Sequence, residues 1–278
     1  MKYKMIVLDL DDTLLQDDGT ISAGNKQALM AAQEAGVKVV LASGRPTYAM
    51  RALAEELELE RFGSYILSFN GAKIINWKTQ EEPFSSTLTP EMAHTLYHLS
   101  VEEGVSALTY VGDEIVTASA NEYTTIESDI TGMKIVEVES FVDAVQVPVV
   151  KVLMVADPER LVEVEKKLKA KMAGQLNVMR SKPFFLEFTE DGVNKGTSLN
   201  HLIQTLGIER SEVIAMGDGY NDVAMIEFAG LGVAMGNAPE EIKQLADYVT
   251  DTNMNDGVAK VVEEFILKDM VVATQSSY

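Results

Sequence analysis

Met5-Ile6-Val7-Leu8-Asp9-Leu10-Asp11-Asp12-Thr13-Leu14-Leu15 is the stretch whose reading decides the fold of this 278-residue chain. Four apolar residues, Met5 to Leu8, run without alternation and stop at a segment holding three aspartates and a threonine. A short apolar run with a polar break after it predicts a strand buried on both faces of a parallel sheet. Open α/β sheets bind ligands beyond the carboxyl ends of such strands, which puts Asp9 and Asp11 at the mouth of a site. Crowded carboxylates repel one another and resist desolvation unless a cation neutralises them. Magnesium suits hard oxygen ligands of this kind and shares its shell with substrate phosphate. Taken alone, the same residues also fit a solvated acidic turn at a strand end.

Working outward, strand and helix alternate. Ser22 reads as the N-cap of a helix through about Glu34, closed by Gly36. Val37–Ala42 reads as a second buried strand, followed by Ser43-Gly44-Arg45-Pro46 and a helix from about Pro46 to Glu58. Tyr65–Phe69 is a third strand, with Asn70-Gly71 a tight turn into Ala72–Ile75. This order predicts an α/β fold with a doubly wound parallel sheet. From about Glu82 to Glu190 the rhythm changes to helices separated by strand pairs, among them Val105–Tyr110 with Glu114–Thr117 and Leu176–Arg180 with Phe184–Thr189. That pattern predicts an inserted α+β module with a largely antiparallel sheet. After Gly192 the doubly wound rhythm returns, with a helix closed by Gly207 and a strand at Glu212–Met216. The turn Gly217-Asp218-Gly219-Tyr220-Asn221-Asp222 opens the next helix, and an amphipathic helix over Asp256–Ile266 comes last. The expected division is 1–82 with 190–270 as core, 83–189 as insert, and 271–278 as a frayed tail.

Composition narrows the function. Hydrophobic residues make up 46% of the chain, ample for a core. No apolar run approaches the roughly 18 residues of a membrane span, and the start lacks a signal-peptide core, so no membrane partner is expected. With no cysteine, disulfides and thiolate metal sites are excluded, and a cytoplasmic location is the default. The formal charge of -20 opposes nucleic acid, whose phosphates need a basic footprint. A small phosphate ester stays compatible, because screening over roughly 8 Å leaves local charge in control.

Four pieces fall at the carboxyl ends of predicted parallel strands: Asp9 with Asp11, Ser43, Lys195, and Asp218 with Asn221 and Asp222. Each alone has an ordinary explanation as a loop, an exposed lysine or a capping aspartate. Lys195 at a helix start is unfavourable to the macrodipole, which hints at another purpose. Their joint order resembles the four motifs of the haloacid dehalogenase superfamily of phosphohydrolases. The insert resembles the large α/β cap of the Cof-type branch, and within it the chain is most similar to the YidA-like sugar phosphatases. Ala-Ser-Gly-Arg-Pro around Arg45, Phe-Asn-Gly-Ala around Asn70, Val-Asn-Lys-Gly-Thr around Lys195 and Val-Ala-Met-Gly-Asn-Ala at 233–238 all fit. Asp12 departs from the pattern, since these phosphatases commonly carry glycine there.

The resemblance implies a role for each residue. Asp9 would be the nucleophile, forming an aspartyl-phosphate, with one carboxylate oxygen toward the metal. Asp11 would be the general acid and then the base, its carbonyl also reaching magnesium. Asp218 would complete the protein part of the metal shell, with Asn221 and Asp222 behind it. Ser43, Gly44, Lys195 and Asn221 would bind the phosphoryl group, Lys195 would also restrain Asp9, and Arg45 would contact substrate. The expected activity is magnesium-dependent hydrolysis of small phosphorylated metabolites, sugar phosphates foremost, by a monomer or weak homodimer. A phosphotransferase such as a phosphomutase, or a low-turnover phosphometabolite sensor, is the alternative. His94, His98 and His201 read as surface or packing residues.

Overall fold

A computed structural model describes residues 2–268, so the tail expected at 271–278 lies outside the described residues. The chain divides into two compact units, Met1–Phe84 with Asn194–Tyr278, and Ser85–Val193. In chain order the strands are β1 (Met5–Leu8), β2 (Lys38–Ala42), β3 (Tyr65–Ser68), β4 (Lys73–Asn76) and β5 (Phe84–Ser85). Then come β6 (Ser106–Val111), β7 (Glu114–Thr117), β8 (Lys134–Glu137), β9 (Val152–Val155), β10 (Leu176–Lys182) and β11 (Phe185–Glu190). The last three are β12 (Val213–Gly217), β13 (Leu231–Ala234) and β14 (Tyr248–Val249).

The larger unit is the doubly wound α/β fold. Its sheet runs β14-β13-β12-β1-β2-β3-β4-β5. All neighbours from β14 to β3 pair in parallel, and β4 turns back antiparallel on β3. Strand β1 lies between β2 and β12, the place where the winding reverses. Ile6 and Leu8 pack in one apolar cluster with Val39, Leu41, Ile214 and Met216. Met5 and Val7 pack on the opposite face with Val40, Ala42, Val213 and Ala215. With apolar neighbours on both faces, β1 has no polar face to alternate. Each such buried aliphatic side chain stabilises the fold by about 1.5–3 kcal/mol.

Local rules account for most element ends here. The helix Ala23–Glu34 starts at Ser22, whose hydroxyl accepts from the Asn25 N–H at 3.1 Å. Pro46 occupies the N-cap and not the first helical position, and the helix covers Thr47–Glu56. Glu58, left-handed at φ 51°, breaks it from a short helix at Leu59–Phe62. Strand β3 ends at Ser68, one residue before the expected Phe69. In place of a two-residue hairpin turn the chain makes a 3₁₀ turn over Phe69–Gly71.

The smaller unit is an α+β module whose sheet runs β10-β11-β9-β6-β7-β8. Its neighbours are antiparallel except β7 with β8. A parallel pair needs a crossover. The helix Glu122–Thr131, capped by Asn121 at both Tyr123 N and Thr124 N, supplies it. Ala107, Val152, Met154, Leu186 and Phe188 pack with Leu96 and Leu99 of the helix Pro90–Glu102 and with Leu161, Val164 and Leu168 of Pro158–Lys171. A short helix at Phe141–Ala144 carries too few residues to show periodicity in sequence.

Candidate active site

Asp9 follows β1 directly and stays in the ladder, its N–H donating to the Met216 carbonyl at 3.0 Å. The backbone therefore fixes where its carboxylate stands. Lys195 opens the helix Lys195–Leu206, held there by an Asn194–Thr197 capping box. Its side chain is fully buried, and Nζ donates to Asp9 Oδ1 at 2.5 Å and to Asp222 Oδ1 at 2.6 Å. The other Asp222 oxygen accepts from the backbone N–H groups of Asp218 (3.1 Å) and Gly219 (2.9 Å). Asp222 thus folds the loop after β12 back over Gly217, where a Cβ would stand 2.4 Å from the Asp222 Cβ. Only glycine fits there.

Asp218 accepts at Oδ1 from the Thr13 hydroxyl at 2.9 Å, which ties the loops after β1 and β12 together. Ligand oxygens of Asp9, Asp218 and Asp222 lie within 4.8 Å of one another. One lysine therefore answers three aspartates. Burial pushes Asp9 up to about 8; Lys195 pulls it back, and Asp222 and Asp218 push it further. Burial also raises Asp218, to about 6, with Thr13 opposing and Asp222 and Asp12 reinforcing. Burial by itself would depress Lys195, yet Asp9 and Asp222 outweigh it and raise the ammonium. The pocket carries excess negative charge, and its hard oxygen donors fit a small divalent cation such as magnesium. Both Asp222 oxygens are already engaged, so the donors left over are the second oxygens of Asp9 and Asp218.

The remaining expected residues sit around this centre. Ser43 follows β2, almost fully buried, and its hydroxyl accepts from the Arg45 N–H at 3.1 Å. Arg45 grips the exposed Asp11 carboxylate with both arms of its fork, Nε at 2.9 Å and Nη2 at 2.5 Å. Asp11 is thus paired with Arg45 and not with the buried aspartates. Asn221, expected at the phosphoryl group and behind the metal, donates from Nδ2 to Asn70 Oδ1 at 3.0 Å. Asp12 has a left-handed backbone, φ 60° and ψ 7°. Glycine is favoured at such a position, and aspartate is among the few other residues that tolerate it. Sequence reasoning did not assign Thr13, Asn70 or Asn237, whose Nδ2 donates to the Asp12 carbonyl at 2.7 Å. All three stand inside stretches that carried the resemblance, which was the available signal.

The sequence profile of the haloacid dehalogenase-like hydrolases matches residues 6–262. The chain belongs to that family. A Bacillus subtilis (strain 168) relative, 5-amino-6-(5-phospho-D-ribitylamino)uracil phosphatase YcsE, is 33% identical over 269 residues, covering 95% of this chain and 96% of its own. A solved haloacid dehalogenase-like hydrolase from Bacteroides thetaiotaomicron shares 46% identity with a TM-score of 0.91, covering 95% of this chain and 100% of its own. The HAD subclass IIB sugar phosphatase BT4131 aligns at 28% identity and a TM-score of 0.77, over 94% and 98% of the two chains. This haloacid dehalogenase-like hydrolase is accordingly a phosphatase, with the α/β core of its family. Among the described residues no helix is long and apolar enough to cross a membrane.

Proposed function

We propose that this phosphatase hydrolyses small phosphorylated metabolites, sugar phosphates foremost, with magnesium and through a phosphoryl group carried on Asp9. The observation that carries the reading is the centre where Lys195 pairs with Asp9 and Asp222 while the Asp218 carboxylate lies close by. A dianionic phosphate enters such a site only once further positive charge is present. Asp9 and Asp218 would hold magnesium with the Asp11 carbonyl, and the bound ion would supply charge neutralisation and electrophilic polarisation of the phosphoryl group.

Each residue then has a task. The Asp9 oxygen restrained by Lys195 attacks phosphorus, forming the acyl phosphate bond as the ester P–O bond breaks. Asp11 gives its proton to the departing alkoxide. A water next attacks phosphorus and loses its proton to Asp11, while the bond to Asp9 breaks and orthophosphate leaves. Ser43 Oγ, the Gly44 N–H and Lys195 Nζ stabilise the phosphoryl oxygens throughout. Arg45, now on Asp11, is a substrate contact at the rim. The smaller unit serves as the cap and selects the leaving group. A sugar-like leaving group is supported by relatives, one named for a phospho-D-ribityl compound and another called a sugar phosphatase.

Phosphate release from a panel of sugar phosphates and p-nitrophenyl phosphate, with magnesium and with excess chelator, tests the reading. Turnover should need the metal, and a rapid acid quench with labelled phosphoryl donor should leave label on the peptide carrying Asp9. Full activity in chelator, or no label at any quench time, would sink it.

A further inference from the structure

Phe69 and Asn70 are adjacent non-glycine residues with left-handed backbone, φ 53° and 56°, and Gly71 follows at 93°. Asparagine enters that region readily and phenylalanine does not. A tight hairpin turn accounts for left-handed Asn70 and Gly71, but does not call for a left-handed Phe69 before them. Strain of this kind persists where surrounding bonds impose it, and it concentrates where geometry serves function. The bonds are visible. Phe69 N–H donates to the Arg45 carbonyl at 3.0 Å, and Asn70 N–H to the Ser43 carbonyl at 2.8 Å. Ser198, on the helix that Lys195 opens, donates its hydroxyl to the Gly71 carbonyl at 2.6 Å. A Cβ on Gly71 would stand 2.5 Å from that hydroxyl, so the contact is close.

The strained turn therefore joins the Ser43 loop to the Lys195 helix, and it lays one side chain between them. The Asn70 carboxamide lies across Gly44, its Nδ2 3.2 Å and its Oδ1 3.3 Å from where a Gly44 Cβ would be. Its Oδ1 accepts from Asn221 Nδ2, an orientation assigned from this hydrogen-bond network. Among the described residues no protein acceptor takes the Asn70 Nδ2–H groups. The carboxamide that carries them borders Gly44, whose N–H is one of the groups assigned above to the phosphoryl oxygens.

We propose that Asn70 is a further phosphoryl-binding residue: its Nδ2–H donates to a phosphoryl oxygen of the substrate, and Asn221 aims it. This rests on the functional reading above. Asn221 is then a positioning residue that acts through Asn70. A merely structural Asn70 would serve only to fill a left-handed position, and glycine does that as well or better.

The experiment uses the full chain and three variants, with p-nitrophenyl phosphate as substrate and inorganic phosphate as competitor. Asn70→Gly keeps the backbone conformation and removes the donor. It should raise KM and the phosphate inhibition constant about tenfold or more, as expected for a lost hydrogen bond to a charged group, with melting temperature held. Asn70→Asp keeps the shape but replaces donor with anion, and should weaken phosphate inhibition further. Asn221→Ala should show a smaller shift of the same sign. Wild-type KM and phosphate inhibition in a folded Asn70→Gly would overturn the proposal. So would losses that track melting temperature and are restored by Asn70→Asp. If the unsubstituted protein neither cleaves the ester nor responds to phosphate, the functional reading falls too, and that failure shows before any variant is made.

Discussion

Lys195 illustrates how a residue that breaks a local rule can be explained by its partners. A cation in the first turn of a helix faces the positive end of the macrodipole, and full burial adds desolvation. Both penalties are offset by Asp9 and Asp222 at 2.5 and 2.6 Å. With three carboxylates to one ammonium, removing a negative charge should relieve the folded state. Asp9→Asn is therefore expected to cut turnover by several orders of magnitude while the melting temperature, read by calorimetry without metal, holds or rises. A marked fall in melting temperature would contradict the charge count. Asp12→Gly is a second test at this scale. It removes a side chain from a left-handed position and a negative charge that helps hold Asp218 up. Stability should rise by roughly 0.5–1 kcal/mol, from relief of backbone strain offset in part by the freer unfolded chain. Urea unfolding of both proteins would show a midpoint moved upward; a lower midpoint would mean that the Asp12 side chain makes a contact worth more than its strain.

At the scale of elements, the six-stranded sheet contains a polar group that the apolar pattern does not explain. Lys151 precedes β9 and donates to Glu187 of β11 at 3.0 Å, with both side chains about nine-tenths buried or more. Tyr110 of β6 donates to Glu127 of the crossover helix at 2.6 Å. Burial raises Glu127, with Lys151 pulling the other way. Buried pairs of this kind are seldom net stabilisers, although breaking one leaves an uncompensated charge. Lys151→Met alone should thus lower unfolding free energy by about 3–5 kcal/mol, and Lys151→Met with Glu187→Leu should recover most of it. Denaturant titration of both single variants, Lys151→Met and Glu187→Leu, and of the double variant gives the coupling directly. If the double variant is as unstable as the single one, the pair contributes more to the fold than its desolvation takes away.

For the whole molecule, each unit has its own buried clusters, Ile6 to Ile266 in the larger and Leu88 to Phe188 in the smaller. Separate cores allow separate folding. Replacing Ser85–Val193 by a short Gly/Ser linker is expected to leave a soluble protein that cleaves p-nitrophenyl phosphate weakly. Its discrimination among sugar phosphates should largely vanish, as measured by ratios of kcat/KM across the panel. An unchanged preference profile would mean that the smaller unit does not select substrate.

The sequence by itself determined the elements, because their signals are local. An unalternated Met5–Leu8 can only be satisfied by burial on two faces, Ser22 caps whatever helix follows it, and the loss of βα rhythm marks a different sheet. Element ends were less legible where one residue decides: Phe69 has strand propensity, yet its N–H donates to the Arg45 carbonyl, far off in sequence, and leaves β3 to end at Ser68. The aspartates and the lysine could be named from their motifs, but only the tertiary structure decided who touches whom. Asp222 turns both its oxygens to Lys195 and the Asp218 loop, Asp11 goes to Arg45, and Asn221 reaches Asn70. Apart from the bond of Asp222 to its own loop, four residues back, such pairings join residues 27 to 186 positions apart in the chain, as in Lys195 with Asp222 and Lys195 with Asp9. Propensity and periodicity act over a few residues, whereas these contacts arise only when the parallel sheet brings its strand ends side by side.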